Sequence, residues 1–440
     1  MFFHRRSSSK RYDRPSPFRS SQSDFGFIRH APVPPNVVAL VIAHVATNPD
    51  LVQREATLLT CLRVARGWVQ PARHHLFLEH PGLVIRADRP GHIQRAAALI
   101  RSPHCTLHNA VRGLAFVNGH RQDRISDEEI ELFQDIVGPL KNVTALAIAG
   151  PGWRMYKHFL DCTFRWCEQI IDLDIDKYSF RPDALARFIS IFPNLRHLQL
   201  SGCVVDPNGP TRGGPQGVTE RFPLSENTWD LCETMQESMP KPHLATLSLD
   251  SPLTLPVLSW LVATNLTSLE LYIPKYVRSR TYWHTLVDFV DQLESSTLEN
   301  FTLGLPSMFG YRTLPLPDLS RFKRLQLVQL RGIYFEHLDP MWTLFSTLDA
   351  PAVYRVLFEF RHTTSWTQFA NAFRAHKAEL RALDAFLSDQ RRFPKLMPVV
   401  FLMSRVSTEL TFGPFPGGWR EEVCLAFPEL YRKALVIFQK

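Results

Sequence analysis

A chain of 440 residues, 45% of them hydrophobic, is long enough for two domains or one extended repeat array, and it can bury a core without disulfide or metal staples. Its seven cysteines are odd in number and form no C-x-x-C pair, which argues against a zinc module or a secreted disulfide scaffold and points to a reducing compartment, cytoplasmic or nuclear. The net charge of +8 is concentrated at the start: residues 1–30 hold seven Lys/Arg against two acids, a net of +5, so the remaining +3 gives no expectation of a nucleic-acid groove.

The opening "MFFHRRSSSKRYDRPSPFRSSQ" has no apolar signal-peptide core. Its Arg and Ser content would suit a mitochondrial presequence, but two prolines, Asp13 and a weak apolar face read better as a disordered, solvated basic tail over residues 1–30. No apolar run is long enough for a membrane span, so no membrane partner is expected.

Residues 31–80 read as a helical module. In "VPPNVVALVIAHV", residues 33–45, Pro34 and Pro35 suit a helix entry, where a missing N–H costs nothing. Val37, Val38, Val41, Ile42 and Val45 then form a broad apolar face. "TNPDLVQREA" reads as a turn, followed by a helix from about Ala56 that carries Leu58, Leu59, Leu62, Val64 and Ala65 and ends near Trp68. "QPARHHLF" starts a third short helix. Three such helices are too small to be very stable alone and should lean on the next domain or a partner.

Residues 81–440 read as a repeat. In "FPNLRHLQLSG", Leu195, Leu198 and Leu200 follow L-x-x-L-x-L, and the last two alternate as a half-buried strand does. The frame recurs from Val111, Val143 and Ile170 before it, and from Leu244, Leu266, Leu298, Leu325, Val353 and Leu396 after it. Spacings mostly in the twenties fit one strand plus one helix, the leucine-rich-repeat unit, whose strands stack into a parallel sheet on the concave side. The intervening segments support this. "SDEEIELFQDIVGPL" offers Ser126 and Glu129 as a capping box. "RPDALARFISIF" and "RTYWHTLVDFVDQLESS" space Leu185, Phe188, Ile189 and Trp283, Leu286, Val290, Leu293 on single helical faces.

Pro151, Pro252, Pro274 and Pro306 each fall eight residues after a repeat start, where a strand should end, and Cys203 takes the place that Asn or Cys fills in regular repeats. "DPNGPTRGGPQG", residues 206–217, reads as an inserted loop. "REEVCLAFPELYRKALVIF" reads as an amphipathic helix capping the array. Between the buried positions lie Gln199, Ser248, Glu270, Tyr272, Thr302 and Gln329, which period-2 alternation assigns to the concave face as candidate target-binding residues.

Chemistry-bearing motifs are sparse. His104, Cys105 and His108 in "HCTLH" have loose metal-like spacing but no second pair, and Cys162 and Cys167 in "DCTFRWC" read as buried helix residues. No phosphate-binding loop, dinucleotide fingerprint, H-E-x-x-H or G-x-S-x-G occurs, so neither an enzyme nor a cofactor is expected.

The helix "VPPNVVALVIAHV" followed by "CLRVARGW" resembles an F-box, especially the fungal kind that precedes a leucine-rich-repeat region. The matching positions are Pro34, Val37, Val38, Val41, Ile42 and Val45, then Leu59, Val64 and Trp68. Val33 stands where the family has Leu, Asn36 where an acid is usual, and Ala65 where Cys is common. The resemblance implies a substrate receptor of a Skp–cullin–F-box ubiquitin ligase. Its N-terminal helices would dock the Skp adaptor, and through it a cullin, while the repeats capture an unidentified protein substrate. It places adaptor contact at Pro34, Val37, Val41, Ile42, Leu59, Val64 and Trp68. For each residue, a core position in the three-helix unit is the competing reading. The resulting fold class is α/β: a short three-helix F-box-like module, then an irregular leucine-rich-repeat solenoid, or horseshoe. Two alternatives stay open: a repeat scaffold with no ubiquitin-ligase role, and a protein whose basic tail anchors an acidic surface or nucleic acid.

Overall fold

The computed structural model describes residues 33–47, 51–64, 67–69, 71–72, 75, 82–87, 89, 91–103, 105, 107–117, 127–150, 167–177, 179–180, 182–205, 242–250, 265–272, 280–305, 316–333, 338–362, 366–405 and 418–439. The basic tail, the 206–217 insertion, Ser126, Cys162, His104 and the four strand-ending prolines lie outside them. The chain divides into two compact units, Met1–Pro71 and Ala72–Lys440.

In the first unit, α1 (Pro35–Ala46) opens on Pro34, whose carbonyl accepts the N–H groups of Val37 (2.9 Å) and Val38 (3.1 Å). Val38, Ile42 and Ala46 recur at a four-residue interval, so one side of the helix is buried, and Leu58 and Cys61 are buried on α2 (Leu51–Val64), which packs against it. The second helix therefore starts about a turn before the expected Ala56. Pro49-Asp50 precedes it in sequence, a helix-start signature inside the stretch read as a turn.

In the second unit, twelve strands pair in parallel as one sheet in the order β1-β2-β3-β4-β6-β8-β9-β10-β11-β12-β13-β14, and a short pair, β5 (Ser179–Phe180) with β7 (Val204–Val205), flanks it. Each of the ten frames read from sequence yields a strand: β2 (Gly113–Val117), β3 (Ala145–Ala149), β4 (Asp172–Asp176), β6 (His197–Ser201), β8 (Thr246–Leu249), β9 (Ser268–Tyr272), β10 (Asn300–Gly304), β11 (Leu327–Ile333), β12 (Arg355–His362) and β13 (Val399–Arg405). The register aligns the frame position by position. Leu114 pairs Leu146, then come Leu173, Leu198, Leu247, Leu269, Phe301, Val328 and Val356. All of these are buried, as are the repeat starts from Val111 to Val353. Cys203 is buried too, its thiol donating to the Ile175 carbonyl across 3.3 Å.

One core runs through the stack because a single repeat leaves its apolar face open and its neighbour closes it. The helices Pro182–Ser190 and Arg280–Gln292 turn Leu185, Phe188, Ile189 and Trp283, Leu286, Val290, Leu293 into that core, as their spacing predicts. Toward the C-terminal end it becomes a phenylalanine cluster, with Phe401 5.5 Å from Phe358, 5.1 Å from Phe427 and 6.1 Å from Phe438 between ring centroids.

The two end strands were not expected. The C-terminal segment is not one capping helix. It forms two short helices, Trp419–Ala426 and Pro428–Arg432, then β14 (Val436–Gln439), which pairs with β13. Asp384, buried on the helix Lys377–Leu387, holds this end in place. Its carboxylate accepts the N–H groups of Glu429 (2.7 Å) and Leu430 (2.8 Å) at the free N-terminus of the Pro428–Arg432 helix. Burial nevertheless pushes its carboxyl above the usual range, the two backbone bonds opposing that only in part. At the other end, β1 (Leu83–Arg86) pairs with β2.

Candidate functional site

Strand alternation leaves one face of the sheet free of the core, and the register sets its rows. One row runs Val84, Ala115, Ala147, Asp174, Gln199, Ser248, Glu270, Thr302, Gln329, Leu357, Val400, Ile437. It is apolar at both ends and polar between. The six residues expected on this face all lie on it. Gln199 is exposed, and Ser248, Glu270 and Tyr272 are partly so. Thr302 and Gln329 are buried despite facing away from the core, so they support neighbouring side chains instead of meeting a ligand directly.

Those neighbours form the most organised polar group on the face. Tyr272, Gly304 and Arg331 are consecutive in the next row, on β9, β10 and β11. Because the middle residue lacks a side chain, the Tyr272 ring can lie over it: a Cβ on Gly304 would stand 2.6 Å from Tyr272 Cδ1. Across that gap an Arg331 guanidinium N–H donates to the Tyr272 hydroxyl at 2.5 Å, and another donates to Gln329 Oε1 at 3.2 Å. The Tyr272 hydroxyl donates to Glu270 Oε2 at 3.3 Å, and Arg331 Nε lies 3.7 Å from Glu359 Oε2. Burial, then the Glu270 charge, push the Tyr272 phenol up to about 12, so it is a neutral donor at physiological pH.

A bulge in β11 sets this geometry. Leu330 pairs Phe358, yet Ile333 pairs Phe360, so β11 carries one extra residue opposite Glu359. Gly332 takes it up at φ +71, a conformation glycine adopts without strain. Ile333 thereby returns to the core and Arg331 stays on the open face.

Three strands away, β4 presents Asp172, Asp174 and Asp176 on the same face, with Asp250 beyond the end of β8. The Gly202 N–H donates to the Asp250 carboxylate, whose pKa burial raises. Lys177 is 3.6 Å from Asp176, and His197 is 3.8 Å from Asp172.

A different surface stands on the first unit. Val37, Leu40 and Val41 are exposed along α1, Leu40 most of all at 70%, opposite the buried Val38, Ile42 and Ala46, and Val33 is exposed just ahead of the helix. Of the expected adaptor residues, Pro34, Val37, Val41 and Val64 are exposed and Trp68 is partly buried. Leu59 lies on α2, its side chain outside the description. Ile42 is the exception: at 0% exposure it packs inside the helix pair and offers no surface. Leu40, absent from the expected set, is the most prominent member of the stripe.

Elsewhere, the His108 ring is engaged with the Ile100 carbonyl at 2.7 Å, Cys105 packs against the core, and Cys167 starts a short turn of 3-10 helix. Among the described residues no cluster of His, Cys, Asp or Glu could hold a metal ion, and no helix is long and apolar enough to cross a membrane.

No protein-family model and no curated protein matches the chain. Among solved structures, it resembles a chain of the Rad7–Elc1 complex from yeast at 12% identity and a TM-score of 0.33, covering 87% of this chain and 98% of that one. A protein from Bacteroides fragilis matches at 12% identity and a TM-score of 0.32, covering 67% and 69%. TM-scores this low establish no shared fold and carry no weight for function.

Proposed function

We propose that the chain is the substrate-recognition subunit of a Skp–cullin–F-box ubiquitin ligase. The first unit docks the Skp adaptor through α1, and the strand face of the second captures a protein target. The chain supplies proximity, and the ubiquitin-conjugating enzyme supplies the chemistry. The observation that carries this reading is the exposed Val37–Leu40–Val41 stripe on a helix whose opposite side is already packed. An apolar stripe of that kind is the usual signature of a helix awaiting a partner surface. The F-box resemblance of the same segment supports the Skp adaptor as that partner. A polar, partly exposed strand face suits protein capture, since interfaces draw on Tyr and Arg anchors held by a rigid scaffold.

The test is co-expression with the host's Skp adaptor and measurement of the co-purified ratio. Stoichiometric capture by the parent, lost in Leu40→Asp/Val41→Asp, is the expected result. These two side chains are exposed, so the variant keeps its helical circular dichroism. A well-folded parent that captures no adaptor would sink the ligase reading and leave a repeat scaffold.

A further inference from the structure

The open face changes character along the sheet. From β4 to β9 it carries Asp172, Asp174, Asp176, Asp250 and Glu270 against His197 and Lys177. From β11 onward the sign reverses. Alternation places Arg331, Arg355 and Arg361 on this face, and among the described residues Glu359 is the acid that accompanies them. Glu359 is already beside Arg331, so Arg355 and Arg361 are in surplus. Lys395, exposed two residues ahead of Met397, adds a further cation where the chain enters β13. In the turns that lead into β12 and β13 the acids are engaged: Asp349 holds Lys323 at 2.5 Å, and Asp389 accepts the backbone N–H of Arg391 at 3.0 Å. The sequence shows the same shift, since residues 316–440 hold seventeen Lys/Arg against twelve acids, a net of +5, whereas residues 31–315 come to −2. Over these same strands the middle row of the face turns apolar, as Leu357, Val400 and Ile437. Leu357 and Val400 are buried and form a floor, Leu402 in the next row is half-buried, and Ile437 is 40% exposed. At the entry to the strands Tyr354 and Met397, 37% and 57% exposed, are held side by side by the Met397 N–H, which donates to the Tyr354 carbonyl at 2.8 Å.

We propose that the β12–β14 end of the strand face is the anchor for an acidic segment of the target protein that carries large apolar side chains. This deepens the capture role proposed above and rests on it. The apolar side chains of the segment settle on Met397, Leu402 and Ile437, an exposed apolar surface rimmed by charge. Its carboxylates meet Arg355 and Lys395 in charge-assisted contacts. The acids from β4 to β9 repel the same segment, so the polarity of the sheet fixes which end it occupies. The apolar floor beside the cations suits leucine or phenylalanine side chains rather than the sugar–phosphate chain of a nucleic acid.

Fluorescence anisotropy tests this with the full chain and a labelled peptide that sets two leucines between pairs of glutamates. One counterpart peptide has lysine for glutamate and another has serine for leucine. The expected result is that the glutamate–leucine peptide binds best, more weakly as salt rises. The pairs Arg355→Gln/Lys395→Gln and Met397→Ser/Ile437→Ser should each lose roughly tenfold in affinity. All four side chains are exposed, so both variants keep the circular dichroism of the parent. The control pair Lys377→Gln/Arg381→Gln makes the same charge change at exposed positions on the helix Lys377–Leu387 and should bind like the parent. Equal loss in the control pair would reduce the effect to overall charge and overturn the proposal. So would parent-like binding by either test pair, equal binding of either counterpart peptide, a single-stranded oligonucleotide bound as tightly as the peptide, or no binding by the parent. The ligase reading fails separately: a parent chain that binds the peptide but no adaptor would sink that reading and leave this one standing.

Discussion

Gly304→Ala is the sharpest probe of how the strand face is built. The added Cβ would stand 2.6 Å from Tyr272 Cδ1 and 3.3 Å from Cε1, about 1 Å inside an ordinary carbon–carbon contact at the first of these. The ring must swing away, and its hydroxyl then leaves Arg331. Overpacking of this kind costs about 1–3 kcal/mol. The lost hydrogen bond to a charged partner adds about 1 kcal/mol, less than a fully buried one because the Arg331 side chain is 35% exposed. Replacing a strand glycine by alanine returns about 0.5–1 kcal/mol of backbone entropy. The net expectation is a loss of about 1–3 kcal/mol in urea unfolding followed by circular dichroism. The decisive measurement repeats the substitution in a Tyr272→Ala background. There the ring is gone and only the 3.3 Å approach to the residue 272 Cα remains, a few tenths of an ångström to absorb. Gly304→Ala should then be neutral within about 0.5 kcal/mol, a coupling of at least about 1 kcal/mol between the two sites. If alanine costs the same with and without the ring, the ring does not dictate glycine at 304 and the reasoning is refuted.

Other expectations follow from the packing. Asp384→Ala strips the acceptor from two helix-terminal N–H groups and should cost about 2–5 kcal/mol by thermal unfolding, with fast amide exchange over β14. The sign of its pH dependence is unusual. Its carboxyl is raised in the folded state, so its contribution is smallest at neutral pH and grows as pH falls through the folded pKa toward the ordinary value of 3.8. The stability difference between parent and Asp384→Asn should therefore widen on mild acidification; a difference that narrows would contradict the burial assigned to this carboxylate. Phe401→Ala, which empties the centre of the phenylalanine cluster, should cost about 3–5 kcal/mol. In the first unit, Ile42→Ala should lower helical content and Leu40→Ala should not, because only Ile42 is packed inside the pair. Equal effects would mean that the two sides of α1 have been assigned wrongly.

The repeat was legible because its apolar frame is a packing requirement. A strand that lacks Leu, Val, Ile or Phe at the third and fifth positions after its start leaves a hole that its neighbours cannot fill. The end strands escaped because their start positions are His80 and Lys433, which break the frame where the stack has one neighbour instead of two. The open face was half legible. Alternation found the row of Gln199, Ser248, Glu270, Thr302 and Gln329, but the row two residues on, with Gly304, Arg331 and Glu359, was read only at Tyr272. Reading the sixth position after each repeat start would have found all three. The bulge had no signal beyond a glycine in an apolar strand, and the exposure of Leu40 against the burial of Ile42 depends on how α2 packs, which helical periodicity alone does not fix.

The Tyr272 network changes what kind of array this is. In a solenoid each repeat contacts its neighbours, so stability is nearly a sum of single-repeat and nearest-neighbour terms. Tyr272 and Arg331 instead touch across β10, reaching from β9 to β11, and Arg331 extends the link to Glu359 on β12. A contact that skips a strand couples the opening of repeats that would otherwise open independently. Hydrogen exchange should report it: the amides of β9 and β11 should lose protection together in Arg331→Ala, with β10 between them no more affected than either. A target captured on this part of the face, as proposed, would draw on the same coupling, since the Tyr272–Arg331 contact exists only while all three strands are closed. Capture and the local stability of this part of the sheet are then one equilibrium, and substitutions that loosen β11 far from the ring should weaken binding without touching a contact.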